Sequence, residues 1–411
     1  MSERKAKWHL PENHKRRTIL FIECGQSGYG GSFQCLYLTI KSQCKEKFHF
    51  IVFFLNPSHF YDKLMKMGVE CYYIEDIIFS GNHNWKKYIL GKLKGFVLRV
   101  IPLFSVWCDF IVHSLTIYRI LTIVKNKKID IIHLNNQIVL NYFGLRIARI
   151  LNIQCISHLR TFNSYGLTKS KISYANEIGV NYMAISEQIK NYWIEKGLPA
   201  ESVTTLYDPY LRLYENCSSS NNLEFIDSHD GYKLVFVGRL IECKGIPFLI
   251  ETFKMLLNSG VQAKLCLVGN GEEESNLREI VNREGLKNDV IFLGYHSNPM
   301  AIIRKMDLLI LPSKEEGLGR VLLEAMDVGT PVIGTKIGGI PVIIEHGVNG
   351  LLVDYGDVDN LKRSIIEILQ NDSLREEIIQ GGYETINSKF NVETYREKIE
   401  NIYDSLFGVT K

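Results

Sequence analysis

Residues 308–329 read LLILPSKEEGLGRVLLEAMDVG, and the fold follows from how that stretch divides. Leu308 to Pro312 is a short apolar run stopped by a proline, which predicts a buried strand. Ser313 to Gly319 is rich in turn formers, and Arg320 to Val328 carries apolar residues at helical spacing. The order is therefore strand, loop, helix. Glu316 in the loop and Glu324 in the helix can both border the crevice at the strand's carboxyl end, where open α/β sheets hold their ligands. Carboxylates accept hydrogen bonds and cannot donate them, so two of them beside a helix N-terminus suit a ligand that carries both hydroxyls and phosphate. Gly317 and Gly319, on either side of Leu318, permit a close backbone approach.

The same alternation extends outward in both directions. Upstream lie the strand Lys233 to Val237, the loop Gly238-Arg239-Leu240 leading to Lys244-Gly245, a helix over Ile246 to Asn258, and a strand over Lys264 to Val268 with Gly269 in its turn. Val290 to Leu293 and Pro331 to Ile333 continue the series. The amino-terminal half repeats the theme: strands at Thr18–Cys24, His49–Leu55, Val69–Ile74, Asp130–Leu134, Gln154–His158 and Tyr182–Ile185, with helices between them. This predicts two doubly wound α/β domains. The expected boundaries are a first domain over 1–211, a Ser/Asn-rich linker over 212–231, a second domain over 232–388, and a last helix over 389–411. Tyr395 to Leu406 has an apolar periodicity that gives this helix a face to bury.

Composition and charge narrow the class. A chain of 411 residues, 46% apolar and 23% charged, suits two domains of ordinary soluble character. Its nine cysteines follow no C-x-x-C or disulfide-like spacing, which fits a reducing cytoplasm. The net charge of +3 conceals an asymmetry: residues 1–210 hold 27 Lys and Arg against 15 Asp and Glu, whereas residues 211–411 hold 21 against 30. The first half is therefore expected to be drawn to an anionic surface. Without a zinc-finger, RNA-binding or helix-turn-helix pattern, that surface is expected to be a membrane's inner face and not nucleic acid. Residues 85–128 are apolar at their centre yet interrupted by charge. They predict an amphipathic interfacial helix or a long crossover helix packed on the sheet, and not a span.

Glu316 to Glu324 with the intervening G-x-G, the following EAM, G-R-L-x-x-x-K-G at 238–245, HLR at 158–160 and AISE at 184–187 together resemble the retaining GT-B glycosyltransferases of family 4, the glycosyl transferases group 1. That resemblance implies two Rossmann-like domains facing a cleft, the first binding the acceptor and the last helix crossing back onto it, and transfer of a hexose or N-acetylhexosamine from a UDP- or GDP-linked donor. The expected acceptor is a glycan or a lipid-linked glycan of a surface polysaccharide. It further implies that Arg239 and Lys244 bind the donor diphosphate, Glu316 the sugar hydroxyls and Glu324 the ribose, and that His158 reaches the sugar from the other domain. Gly30, Gly31, Gly238, Gly269, Tyr295, Gly317, Leu318 and Gly319 complete the implied donor site. No metal and no resident cofactor are expected. The chain departs from the family pattern at Tyr207-Asp208-Pro209, where relatives carry an Asn-Gly-type turn, and at Val342, where an acidic residue is common. Competing readings are a GT-B epimerase and a catalytically inactive binding relative; a dinucleotide oxidoreductase is disfavoured because no G-x-G-x-x-G turn follows a strand.

Overall fold

A computed structural model describes residues 16–25, 31–43, 46–58, 60–74, 114–138, 141–162, 164, 167–211 and 231–407. The first sheet has seven strands: β1 (Arg17–Glu23), β2 (Phe48–Phe54), β3 (Glu70–Tyr73), β4 (Ile131–Leu134), β5 (Gln154–Leu159), β6 (Asn181–Ala184) and β7 (Val203–Thr205). The second has six: β8 (Tyr232–Val237), β9 (Ala263–Val268), β10 (Val290–Gly294), β11 (Leu308–Leu311), β12 (Val332–Thr335) and β13 (Leu351–Val353). Their spatial orders are β3-β2-β1-β4-β5-β6-β7 and β10-β9-β8-β11-β12-β13, and every pairing is parallel. Both sheets therefore reverse direction once, between β1 and β4 and between β8 and β11. At such a reversal the helices leave to opposite faces and open a crevice at the strands' carboxyl ends.

Burial on both faces explains why the strands read as unbroken apolar runs instead of alternating patterns. In β1, Leu20 and Ile22 join one core cluster while Ile19 and Phe21 join the other. The second cluster is completed from the far end of the chain. Tyr395, Ile399 and Tyr403 of the Val392–Phe407 helix pack on the first sheet with Phe21, Phe33 and Phe48. Lys47 pairs with Glu400 at 2.7 Å at the rim of this contact.

Of the apolar segment at 85–128, residues 85–113 lie outside the described residues. Residues 114–124 are helical, with Ile117, Ile120 and Val124 buried against the first core and Leu115 and Tyr118 facing solvent. Among the described residues no helix is long and apolar enough to cross a membrane.

Candidate active site

The second domain's switch point is built by glycines that let loops touch. Gly245 sits at φ +65°, and a Cβ there would lie 2.1 Å from the Pro312 carbonyl oxygen. The short turn Glu242–Lys244 is thereby pressed onto the loop after β11. Two further bonds fasten it: the amides of Lys314 and Glu315 donate to the Cys243 carbonyl at 2.8 and 3.2 Å. From this turn Lys244 Nζ donates to Glu316 Oε2 at 2.5 Å, and Ser313 Oγ donates to the same oxygen at 3.2 Å. Ser313 is held in turn by Thr335, whose Oγ1 donates to its carbonyl at 2.7 Å. Arg239, exposed after β8, belongs to the same neighbourhood. The Cys243 thiol is pushed up by burial and feels Lys244, Arg239, Glu315 and Glu316 together.

The other side of the crevice is formed just as closely. Gly269 follows β9 at φ +136°, and a Cβ on it would meet the Gly238 carbonyl oxygen at 1.8 Å. Gly338, at φ +54°, bears on the Glu316 carbonyl, and Gly339 on that of Gly317. Gly319, at φ +85°, precedes the Arg320–Asp327 helix, and Leu318 is buried beneath it. Tyr295 follows β10 and stands half-exposed. Gly31 opens the Gly31–Ser42 helix after β1, and Gly30 lies outside the described residues.

Arg239, Lys244 and Glu316 are thus brought together, whereas Glu324 has different company. The charge that reaches it is that of Arg320, one helical turn earlier. Burial pushes the Glu324 carboxyl up to about 7 and Arg320 works against that rise.

The first domain contributes a buried polar network at its own switch point. Glu23, at the end of β1, accepts from the Gly25 amide at 2.6 Å, from Ser32 Oγ at 3.2 Å and from Asn135 Nδ2 after β4. Burial pushes its carboxyl up despite these donors. Arg160 donates through Nε to the Asn135 carbonyl at 3.0 Å, through Nη2 to Asn135 Oδ1 at 3.1 Å, and through Nη1 to Asp208 Oδ2 at 2.5 Å. Arg160 Nη2 also lies 3.1 Å from His158 Nδ1. Because a guanidinium only donates, that ring nitrogen accepts, and His158 carries its proton on Nε2. His133 Nε2 approaches the same Nδ1 at 3.1 Å, and Tyr403 OH meets His133 Nδ1 at 2.8 Å. Burial, seconded by Arg160, holds both histidines well below their ordinary range, so they stay neutral. His158 is fully buried and its Nε2 has no partner.

The two domains meet here. A Cβ on Gly317 would lie 2.6 Å from the Arg160 carbonyl oxygen, so the loop after β11 rests on the first domain. Glu23, Asn135, Arg160 and Asp208 were not singled out from the sequence. The signals available were HLR, quoted for its histidine, and the unusual Tyr207-Asp208-Pro209. Their arginine and aspartate prove to be partners.

A pair of doubly wound parallel-sheet domains with their crevices facing each other is the GT-B fold. Residues 223–385 match the family model of the glycosyl transferases group 1. The chain is 27% identical over 274 residues to the capsular polysaccharide biosynthesis glycosyltransferase CapM of Staphylococcus aureus, a match covering 63% of this chain and 69% of CapM. It is 34% identical to the lipopolysaccharide core biosynthesis glycosyltransferase LpsE of Rhizobium meliloti, over 44% of this chain and half of LpsE. HepE from Anabaena, solved in complex with UDP-glucose, superposes with a TM-score of 0.74 at 22% identity, covering 95% of this chain and all of HepE. That last likeness is one of fold.

Proposed function

We propose that the chain is a retaining, metal-independent transferase of family 4. In this reading it moves a hexose or N-acetylhexosamine from a nucleoside-diphosphate sugar, UDP- or GDP-linked, to a glycan or lipid-linked acceptor of a surface polysaccharide. The observation that carries this reading is the Lys244–Glu316 pair at 2.5 Å at the switch point, on the turn whose Cys243 also feels the charge of Arg239. A cation and a carboxylate that neutralise each other at the switch point are the two groups a donor needs. Its diphosphate takes the cation, and its sugar hydroxyls take the carboxylate. The UDP-glucose bound by HepE supports a uridine donor, and the names of CapM and LpsE support a surface-glycan acceptor.

In this mechanism the bond from sugar C1 to the diphosphate oxygen breaks and a bond from C1 to the acceptor oxygen forms on the same face. The acceptor's proton passes to the departing diphosphate, so no separate base is required. The protein's task is to stabilise charge gathering on that leaving group. Arg239 can fork onto two oxygens while Lys244 acts as a point charge. Glu324 accepts from the ribose hydroxyls. His158, with its unpartnered Nε2–H, is assigned the sugar contact from the first domain, reached as the domains move. The basic first half supports a site of action at an anionic membrane face, where a lipid-linked acceptor would be held.

Turnover of UDP- and GDP-sugars by the full chain, with and without a lipid-linked acceptor, tests this. Lys244→Ala is expected to lower kcat by roughly a hundredfold or more, corresponding to about 3 kcal/mol of lost leaving-group stabilisation. Glu316→Ala is expected to abolish discrimination among donor sugars. Retained turnover in both variants would remove the assignment.

A further inference from the structure

Arg320 opens the helix that carries Glu324, yet its guanidinium leaves the second domain. Nη1 donates to the Pro209 carbonyl at 3.1 Å and lies 3.7 Å from Cys35 Sγ, both in the first domain. Its Nε and Nη2 are buried without a partner among the described residues. On the first-domain side, Asp208 Oδ2 receives Arg160 Nη1 at 2.5 Å and the Cys35 thiol at 3.0 Å, while Asp208 Oδ1 is buried with nothing donating to it. At the helix's other end, Tyr210 OH donates to Asp327 Oδ2 at 2.8 Å. The segment Asp208-Pro209-Tyr210 therefore runs along the Arg320–Asp327 helix and is stitched to it at both ends. Asp208 and Pro209 belong to the Tyr207-Asp208-Pro209 turn singled out in the sequence.

Buried donors and acceptors left open are costly, and they persist where another state of the molecule satisfies them. Arg320 has two open N–H groups. Two carboxylates act on its charge: Asp208 across the seam and Glu324, four residues along the same helix. We propose that Arg320 is a positioning residue of the donor site: it anchors the Glu324 carboxylate to the Asp208–Arg160 pair of the first domain, so that the ribose-binding group is set only when the two domains are apposed. The proposal rests on the reading of Glu324 as the ribose contact.

It follows that Arg320 governs the charge of Glu324 as well as its place. A carboxylate is a far better acceptor for two hydroxyls than the neutral acid. Burial pushes Glu324 up to about 7, and Arg320 is the cation that holds it from rising further. The other groups facing Arg320 and Asp208 are Cys35 on the Gly31–Ser42 helix, Arg160 beyond β5 and Tyr395 on the last helix. Burial drives the Cys35 thiol to about 12 and raises the Tyr395 phenol, so neither changes charge around neutrality, and both guanidinium groups stay cationic. Glu324 is the member of this set that titrates there.

Calorimetric binding of UDP and of GDP to the full chain between pH 6 and pH 9 separates the possibilities. The wild type is expected to bind the better nucleotide about tenfold more tightly at pH 8 than at pH 6, with a midpoint about 7. Glu324→Gln is expected to flatten that profile. Arg320→Gln is expected to move the midpoint to higher pH, weakening binding several-fold at pH 7 and little at pH 9. Arg320→Lys, which keeps the charge and loses the fork, is expected to fall between the two, and it serves in place of Arg320→Gln should that variant not fold. An Arg320 variant whose profile superimposes on the wild type, while Glu324→Gln is flat, overturns the coupling alone. A Glu324→Gln profile identical to the wild type, or a wild type that binds neither nucleotide, overturns the donor reading and the coupling with it.

Discussion

Two glutamates with seven residues between them have opposite surroundings in the fold. Glu316 is met by Lys244 and Ser313, whereas Glu324 is partly buried with Arg320 as its counter-charge. In the unfolded chain a glutamate titrates about 4.5; in the fold Glu324 titrates about 7. Below the lower value it is protonated in both states and affects stability little. Between the two values the unfolded chain ionises first, so folding becomes progressively less favourable as pH rises, and above about 7 the penalty is complete. Glu324→Gln is therefore expected to melt above the wild type at pH 8, with the gap closing as the pH falls toward 5. Thermal melts of the nucleotide-free protein at four pH values check this. A gap that widens on acidification would mean that Glu324 is held as a satisfied carboxylate.

At the scale of elements, short contacts between loops matter more than the helices and strands that carry them. Gly338 and Gly356 both lie in the left-handed region, at φ +54° and +88°, but a Cβ on Gly338 would meet the Glu316 carbonyl oxygen at 1.9 Å and one on Gly356 would meet nothing within 4 Å. Gly356→Ala is expected to cost only the backbone strain, about 1 kcal/mol. Gly338→Ala must also push the Glu316 loop aside, and displacement of a reacting group by about 1 Å can cost on the order of a hundredfold. Comparing kcat/KM and melting temperature for the two variants isolates the loop contact, since both carry the strain. This contrast also marks where the sequence stops being readable. Ile246–Asn258 was legible to the residue, and Leu308–Leu311 and Val392–Phe407 to within a few residues at their ends, because long apolar runs and helical periodicity are local. The three-residue strands Val203–Thr205 and Leu351–Val353 were not, since so short a run has no period of its own. Glu316, Lys244 and Arg239 could be found because their motifs sit at strand ends. Arg160 with Asp208, and Arg320 with Cys35, could not, because those partners are 48 and 285 residues apart and only the packed domains bring them together.

For the whole molecule, the decisive feature is that the last helix belongs to the first core. Tyr403 is fully buried against Phe48, with ring centroids 5.6 Å apart, and its hydroxyl meets His133 Nδ1. Tyr395 OH lies 2.7 Å from Thr39 Oγ1 within the same layer. The chain thus leaves the first domain at Tyr210, whose amide donates to the Phe390 carbonyl at 2.8 Å, and re-enters it directly after that residue. Outgoing and returning segments lie side by side, so a movement of one domain against the other must bend both together. Deleting the Tyr403 side chain strikes the first domain's core and leaves the second domain's sheet and the Lys244–Glu316 crevice untouched. Tyr403→Ala is accordingly expected to destabilise the first domain by roughly 3–5 kcal/mol. In scanning calorimetry its transition should move below that of the second domain and separate from it. Tyr403→Phe removes only the hydroxyl and strands a buried histidine nitrogen, at a cost of about 1–3 kcal/mol. If Tyr403→Ala instead lowered both transitions equally, the helix would be serving the second domain as much as the first. The two halves would then unfold as one body, and the cleft between them would have less freedom to open than its paired crossing segments permit.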